Sequence, residues 1–122
     1  MTREQMIAEF GEPGVENAKM VDLIDVDRVS GKVVLVMIER RPWGADPRQL
    51  RQIEEKINRY LAYALDGHLA EHYPQYQGKR VAIRLDCAEA PTGEALRFVG
   101  AAEHAMSAHG VGFVVKVAPP GP

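Results

Sequence analysis

The apolar positions of this chain follow two rhythms, an alternating one and a helical one, and together they outline six elements. Val21 to Val29 and Lys32 to Arg40 are two β-branched-rich runs parted by Ser30 and Gly31, a short turn with the flexible residue that a hairpin needs. The first run carries Asp22, Asp25 and Asp27 among its apolar residues, as expected of an edge strand blunted against further pairing. The second, Val33 to Ile38, is apolar on both faces, as expected of a central strand covered on both sides.

A helical period comes next. Asp46, Pro47 and Gln49 read as an N-cap, a proline at the first helical position and a capping-box partner. At 100° per residue, Leu50, Ile53, Ile57, Tyr60, Leu61, Ala64 and Leu65 form one stripe, with Arg51, Glu55, Arg59 and Asp66 opposite. Gly67 is placed to stop or kink this helix, and Pro74 ends the short segment after it.

Arg80 to Cys87 then alternates, with Val81, Ile83, Leu85 and Cys87 inward. Thr92 can cap a second helix bearing Leu96, Val99, Ala102 and Met106, closed by Gly110, and Val111 to Val117 makes a last strand. The order is ββαβαβ. Right-handed crossovers make the second, third and fourth strands parallel and put both helices on one face, with the first strand antiparallel at the edge. The expected fold is α+β, a two-layer sandwich with a four-stranded mixed sheet. Residues 20–118 form its single domain, 1–19 a loosely attached arm and 119–122 a proline-rich tail. Val34, Val36, Ile38 and Val114 cannot all point inward with their neighbours, so some apolar surface is expected on the outer face, for a second copy or the arm to cover.

Composition narrows the class. The chain has 122 residues, 46% apolar and 26% charged, enough for one domain that buries roughly two-thirds of its unfolded surface. A net charge of -2 supplies no basic stripe for nucleic acid or anionic lipid. The longest apolar run is far too short to span a bilayer, and Met1 to Phe10 lacks the apolar core of a secretory signal, so a cytoplasmic protein is expected. A single cysteine, Cys87, excludes an internal disulfide and fits a small buried hydrophobe better than a reactive thiol.

One pentapeptide spells a chemistry. His68, Leu69, Ala70, Glu71 and His72 have the H-x-x-E-H order of inverted zinc peptidases, with two histidines a helical turn apart and a glutamate to serve as base. Against that, both histidines extend the apolar stripe of the preceding helix, so they read as the end of its core face. The third ligand must also come from elsewhere, and Glu89, Glu94 and Glu103 are merely available. No metal or other cofactor is expected. His109 suits the negative end of the second helix, and neither it nor His104 suggests catalysis.

A second cluster is positional. Ligands of open sheets bind beyond the carboxyl ends of parallel strands, and those ends lead into Arg40, Arg41 and Trp43 on one loop and Asp86 and Glu89 on the next. Arginine and tryptophan are common at interaction hot spots. The plainer alternative is that Trp43 folds as a lid over the start of the first helix while the arginines stay solvated. No glycine-rich phosphate loop is present.

Several stretches together carry a family likeness: Leu23, Ile24 and Asp25, the valine-rich second strand, Trp43, and Glu55 to Asn58 with Tyr60 and Leu61. Gly67, Glu71, Tyr73, Pro74 and Phe98 complete them. Through these, Val21 to Val117 resembles a set of small uncharacterised bacterial proteins classed as a domain of unknown function. The resemblance implies the same ββαβαβ arrangement and no established activity, ligand or cofactor. It also implies that the turn after the helix depends on Gly67, Tyr73 and Pro74 rather than on histidine at 68 and 72.

The functional expectation is a non-enzymatic protein that acts through protein contacts, as a homodimer, with Arg40, Arg41, Trp43, Asp86 and Glu89 as interaction candidates. Two alternatives stand beside it: a small metal-dependent hydrolase using His68, Glu71 and His72, and an immunity or antitoxin-like partner of a bacterial effector.

Overall fold

A computed structural model describes Gln5, residues 14–17 and residues 20–117. Strand β1 (Leu23–Val26) pairs antiparallel with β2 (Val33–Glu39), Val26 facing Val33. β1 is shorter than the apolar run because Asp27 builds the turn. Its carboxylate accepts the N–H of Val29 at 2.9 Å, and Gly31 sits at φ 74°. Only glycine takes that left-handed conformation without strain. These hydrogen bonds, Val29 first, hold the Asp27 carboxyl below its ordinary range.

Helix α1 (Gln49–Leu65), a one-turn helix α2 (His68–His72) and a 3-10 turn (Pro74–Tyr76) lead to β3 (Val81–Cys87), helix α3 (Gly93–Ser107) and β4 (Gly112–Val117). The sheet order is β1-β2-β3-β4, with β2, β3 and β4 parallel and β1 antiparallel at the edge. The fold is thus α+β, as the sequence pattern implies, with the helices against one face and α2 added between α1 and β3.

Leu35, Ile83 and Phe113 stand in one cross-strand row beneath the helices, with Met37 and Leu85 one row on. Leu35 and Ile83 are fully buried, as are Ile53 and Tyr60 of α1. Full burial of one such aliphatic side chain is worth about 1.5–3 kcal/mol, so this row anchors the two layers. The stripe of α1 is buried only in part, since Leu65 is half exposed at the helix end.

The start of α1 differs from expectation. The Asp46 carboxylate does accept the Arg48 N–H at 2.8 Å, as a cap should, but regular helix begins at Gln49. Gln49 is no capping-box partner, because its amide oxygen accepts the Gly44 N–H and its amide nitrogen donates to the Pro42 carbonyl. Thr92 precedes α3 without a side-chain cap bond.

On the opposite sheet face, Leu23, Val36, Arg84 and Val114 form one row. Apolar surface is exposed there at the two edges, Leu23 and Val114, while Val36 is buried. Arg84 pairs with Asp86 on its own strand at 2.7 Å and reaches within 4.0 Å of Asp25 on β1. Its stem therefore crosses β2 and shields apolar surface there.

Most of the N-terminal arm and the tail from 118 onward lie outside the described residues. The described part of the arm is not loose. Val15 is buried in the core and donates its N–H to the Ile38 carbonyl at 2.9 Å.

Candidate functional site

At the carboxyl end of β2, Glu39 turns inward and its side chain is fully buried. Arg41 answers it with a two-pronged pair, Nε to Oε1 at 2.9 Å and Nη2 to Oε2 at 2.7 Å, and its backbone N–H donates to the same carboxylate. Glu16 at 3.6 Å and Asp46 at 3.8 Å add charge, so the guanidinium is held cationic. Such bidentate geometry fixes direction as well as charge. Trp43 is half-buried against the core, and its Nε1–H donates to the Glu89 carbonyl at 2.8 Å. With Gln49 bonded to both Pro42 and Gly44, the loop from 40 to 46 is rigidly held.

This geometry sorts the interaction candidates. Trp43 and the Glu89 backbone come together, with Trp43 half-buried against the core, while Arg41 turns to Glu39, Glu16 and Asp46. Arg40 is exposed beside them. Asp86 does not join, because strand alternation turns it to the outer face, where it binds Arg84. Cys87 is buried beside Glu39, and burial, reinforced by Asp86 and Glu39, pushes its thiol up, away from reactivity.

The strongest polar centre was not legible in the sequence. Lys56 of α1 and the Asp22 carboxylate are both fully buried, Nζ to Oδ1 at 2.6 Å. The ammonium also donates to the Gly14 and Asn17 carbonyls. Asp22 accepts the N–H of Gly14 and of Ile38, each at 2.9 Å. Tyr60 completes the centre, accepting the Asp22 N–H at 2.9 Å and donating to the Val36 carbonyl at 2.7 Å. Burial pushes the Lys56 ammonium down while Asp22 pulls it up, and burial pushes Tyr60 up. All three ammonium protons have acceptors, so the amine is a structural cation tying arm, sheet and helix together rather than a nucleophile. Asp22, expected to blunt an edge, is instead the hub. The one available signal is Lys56 on the flank of the apolar stripe, a position that a solvated lysine occupies equally well.

The H-x-x-E-H segment is the five-residue α2, set off from α1 by Gly67 at φ 86°. Only Leu69 of it is buried; both histidines are exposed, which corrects the expectation that they finish the core face. His72 Nδ1 lies 3.0 Å from the Tyr63 hydroxyl, and Glu71 lies 3.7 Å from His68 Nδ1. Among the described residues, no group of three or more His, Cys, Asp or Glu side chains is placed to hold a metal ion.

One surface remains open. Helices α1 and α3 meet at the core through Ile57, Leu61, Phe98, Ala102 and Met106. Above this contact runs a groove of about 360 Å³, floored by the buried Ile57 and Met106 with Leu61, Phe98 and Ala102 half-buried along it. It meets a broad, shallow depression along α1 at Glu54, Asn58 and Phe98, and that depression in turn borders a cleft of about 330 Å³ beside Trp43 at Leu50 and Glu94. Ala101 and Ala105, one turn apart and exposed, keep the α3 wall low.

The fold and this groove define a small two-layer α+β domain whose polar clusters are closed internally and whose helical layer is open. The chain belongs to a family of unknown function, DUF6572, which it matches over residues 14–119. That match begins at Gly14, which bonds to the Lys56 and Asp22 centre. No curated protein and no solved structure matches the chain. No helix among the described residues is long and apolar enough to cross a membrane.

Proposed function

We propose that this chain is a non-catalytic binding protein that receives a helix of a partner protein in the groove between α1 and α3, beside the Trp43 loop. The observation that carries this reading is a contrast. The buried ionisable groups Lys56, Asp22, Glu39 and Cys87 are engaged internally, whereas Leu61, Phe98 and Ala102 beside the groove are apolar and only partly covered. Grooves with apolar lining between two helices suit helix-in-groove recognition, with anchors spaced at i, i+3, i+4 and i+7. Trp43 lines the neighbouring cleft, and it is a residue type that carries binding energy at interfaces.

A second copy is the competing occupant. Glu54, Glu55, Asp66 and Glu94 outnumber Arg51 and Arg59 along the depression, so two such surfaces paired about a two-fold axis would set like charges together. A different partner is favoured.

A photo-crosslinking side chain at Ala105, compared with the same group at Lys116 on the outer sheet face, tests the reading. The expected product is one adduct specific to position 105, with the crosslinked site inside a helical segment of the partner. An adduct at twice 13.5 kDa would give the groove to a second copy, and equal yields from both positions would remove it as the binding surface.

A further inference from the structure

The sheet has two edges, and they are finished differently. β1 is four residues long, with Asp25 on it and Asp27 just beyond, charges of the kind that blunt an edge. β4 is six residues long and carries Lys116 as its single charge. Val33 donates its N–H to the Arg80 carbonyl and the Glu39 carbonyl accepts the Ala88 N–H, which fixes the alternation across the parallel ladder. Carried through β3, that alternation turns the N–H and C=O of Phe113, Val115 and Val117 to the open edge. No bond among the described residues meets them there.

Exposed apolar side chains gather along the same edge. Val114 and Val117 of β4 and Leu96 of α3 are between 44% and 57% exposed. Phe98, Ala101 and Ala105 mark the flank of α3 that faces the groove, and at 100° per residue Leu96, Gly100 and Glu103 lie on the opposite flank, beyond β4. Gly100 stands exposed at the middle of the helix, where an added Cβ would meet no atom within 4 Å. Glycine is a poor helix former, and nothing else in the chain makes use of its missing side chain. A close neighbour on that flank would.

We propose that β4 pairs antiparallel with β4 of a second copy about a two-fold axis at Val114, joining two four-stranded sheets into one. This surface lies on the far side of α3 from the groove, so the proposal is independent of the binding reading above. A second copy suits the edge because the edge complements itself. Val114 meets Val114 as a non-hydrogen-bonded pair, in which side chains approach most closely, and Phe113 pairs with Val115 through backbone bonds. Lys116 falls opposite Gly112 and not opposite a second lysine. The two α3 flanks then run antiparallel above the joint with Gly100 near their crossing. The Arg97 half of one helix lies toward the Glu103 half of the other, unlike charges together.

Light scattering at tens of micromolar is expected to give twice 13.5 kDa. Under mild oxidation Val114→Cys should form a covalent dimer, because the Cα atoms of such a pair lie about 4.5 Å apart, within disulfide reach. Leu23→Cys, in the same cross-strand row at the other edge, should stay monomeric on a reducing-agent-free gel. Val115→Pro removes an N–H that the chain's own ladder does not use and is expected to weaken association at least tenfold while circular dichroism stays near native. Gly100→Gln should raise the thermal midpoint in dilute, monomeric solution yet weaken association by a similar factor, a combination that a purely structural glycine does not give. A monomer at tens of micromolar would leave the edge to an extended segment of some other partner and overturn the proposal. A dimer that links through Leu23→Cys, or that neither Val115→Pro nor Gly100→Gln weakens, would overturn it as well.

Discussion

Lys56 Nζ lies 2.6 Å from Asp22 Oδ1 with both side chains fully buried, and this one pair joins three parts of the molecule that are distant in sequence. Through it α1 holds the segment from Gly14 to Asn17 and the end of β2. Removing one partner leaves a buried charge without compensation, which costs about 3–5 kcal/mol, whereas removing both costs less than the sum. Lys56→Met and Asp22→Asn are each expected to lower urea stability by that amount. The double variant should recover a good part of it, and the exchange rates of the Gly14 and Val15 amides should rise with either single change. Strictly additive losses, or losses under about 1 kcal/mol, would mean that the pair does not hold the arm.

Tyr60 makes a smaller version of the same experiment. Its hydroxyl serves the Asp22 N–H and the Val36 carbonyl, so Tyr60→Phe leaves two backbone groups unpaired while keeping the ring's packing. Each orphaned group costs about 1–3 kcal/mol. The variant is expected to fold with near-native circular dichroism and a lower midpoint in chemical unfolding. A neutral substitution would show that water replaces the hydroxyl there.

How much the sequence revealed depends on how local each signal was. Alternation in Val81 to Cys87 and the stripe from Ile53 to Leu61 are written in neighbouring residues, and right-handed crossovers then fix the sheet order. Asp22, Lys56 and Glu39 were opaque because their environment comes from partners far along the chain: Lys56 and Asp22 are 34 residues apart. A charge beside an apolar run looks the same whether it faces water or a buried counter-ion. Asp86 and Glu89 share a loop in sequence, yet strand parity sends Asp86 to the other face. The groove was invisible for a further reason, since it is set by how far apart two helices settle on the sheet.

Gly67 decides whether the histidine segment is a separate turn. Its φ of 86° is a left-handed conformation, and an added Cβ would meet no atom within 4 Å, so the cost of Gly67→Ala comes from the backbone alone. That cost is about 1–2 kcal/mol, with Gly67→Asn losing less. Had α1 run on without a break, alanine would instead stabilise by about 1 kcal/mol, glycine being the poorer helix former. The sign of the change in thermal midpoint distinguishes the two arrangements.

Asp46 gives the chain an acid-sensitive contact at the start of α1. The Arg48 side chain first, then the Arg48 N–H, with Arg41 adding charge, holds its carboxyl down at about 2 from an ordinary 3.8. A group whose folded value is depressed stabilises the fold above the unfolded value, and that contribution is lost as pH falls toward the folded one. The window is therefore pH 3.8 down to about 2. Carbon-detected titration of the Asp46 carboxyl is expected to show a midpoint near 2, and Asp46→Asn should flatten the stability profile across that window. Part of the shift should survive about 0.5 M salt, because a short hydrogen bond is screened less than a distant charge. A midpoint at 3.8 would mean that Arg48 stays in solvent and that the loop ahead of α1 is held by Gln49 and Arg41 alone.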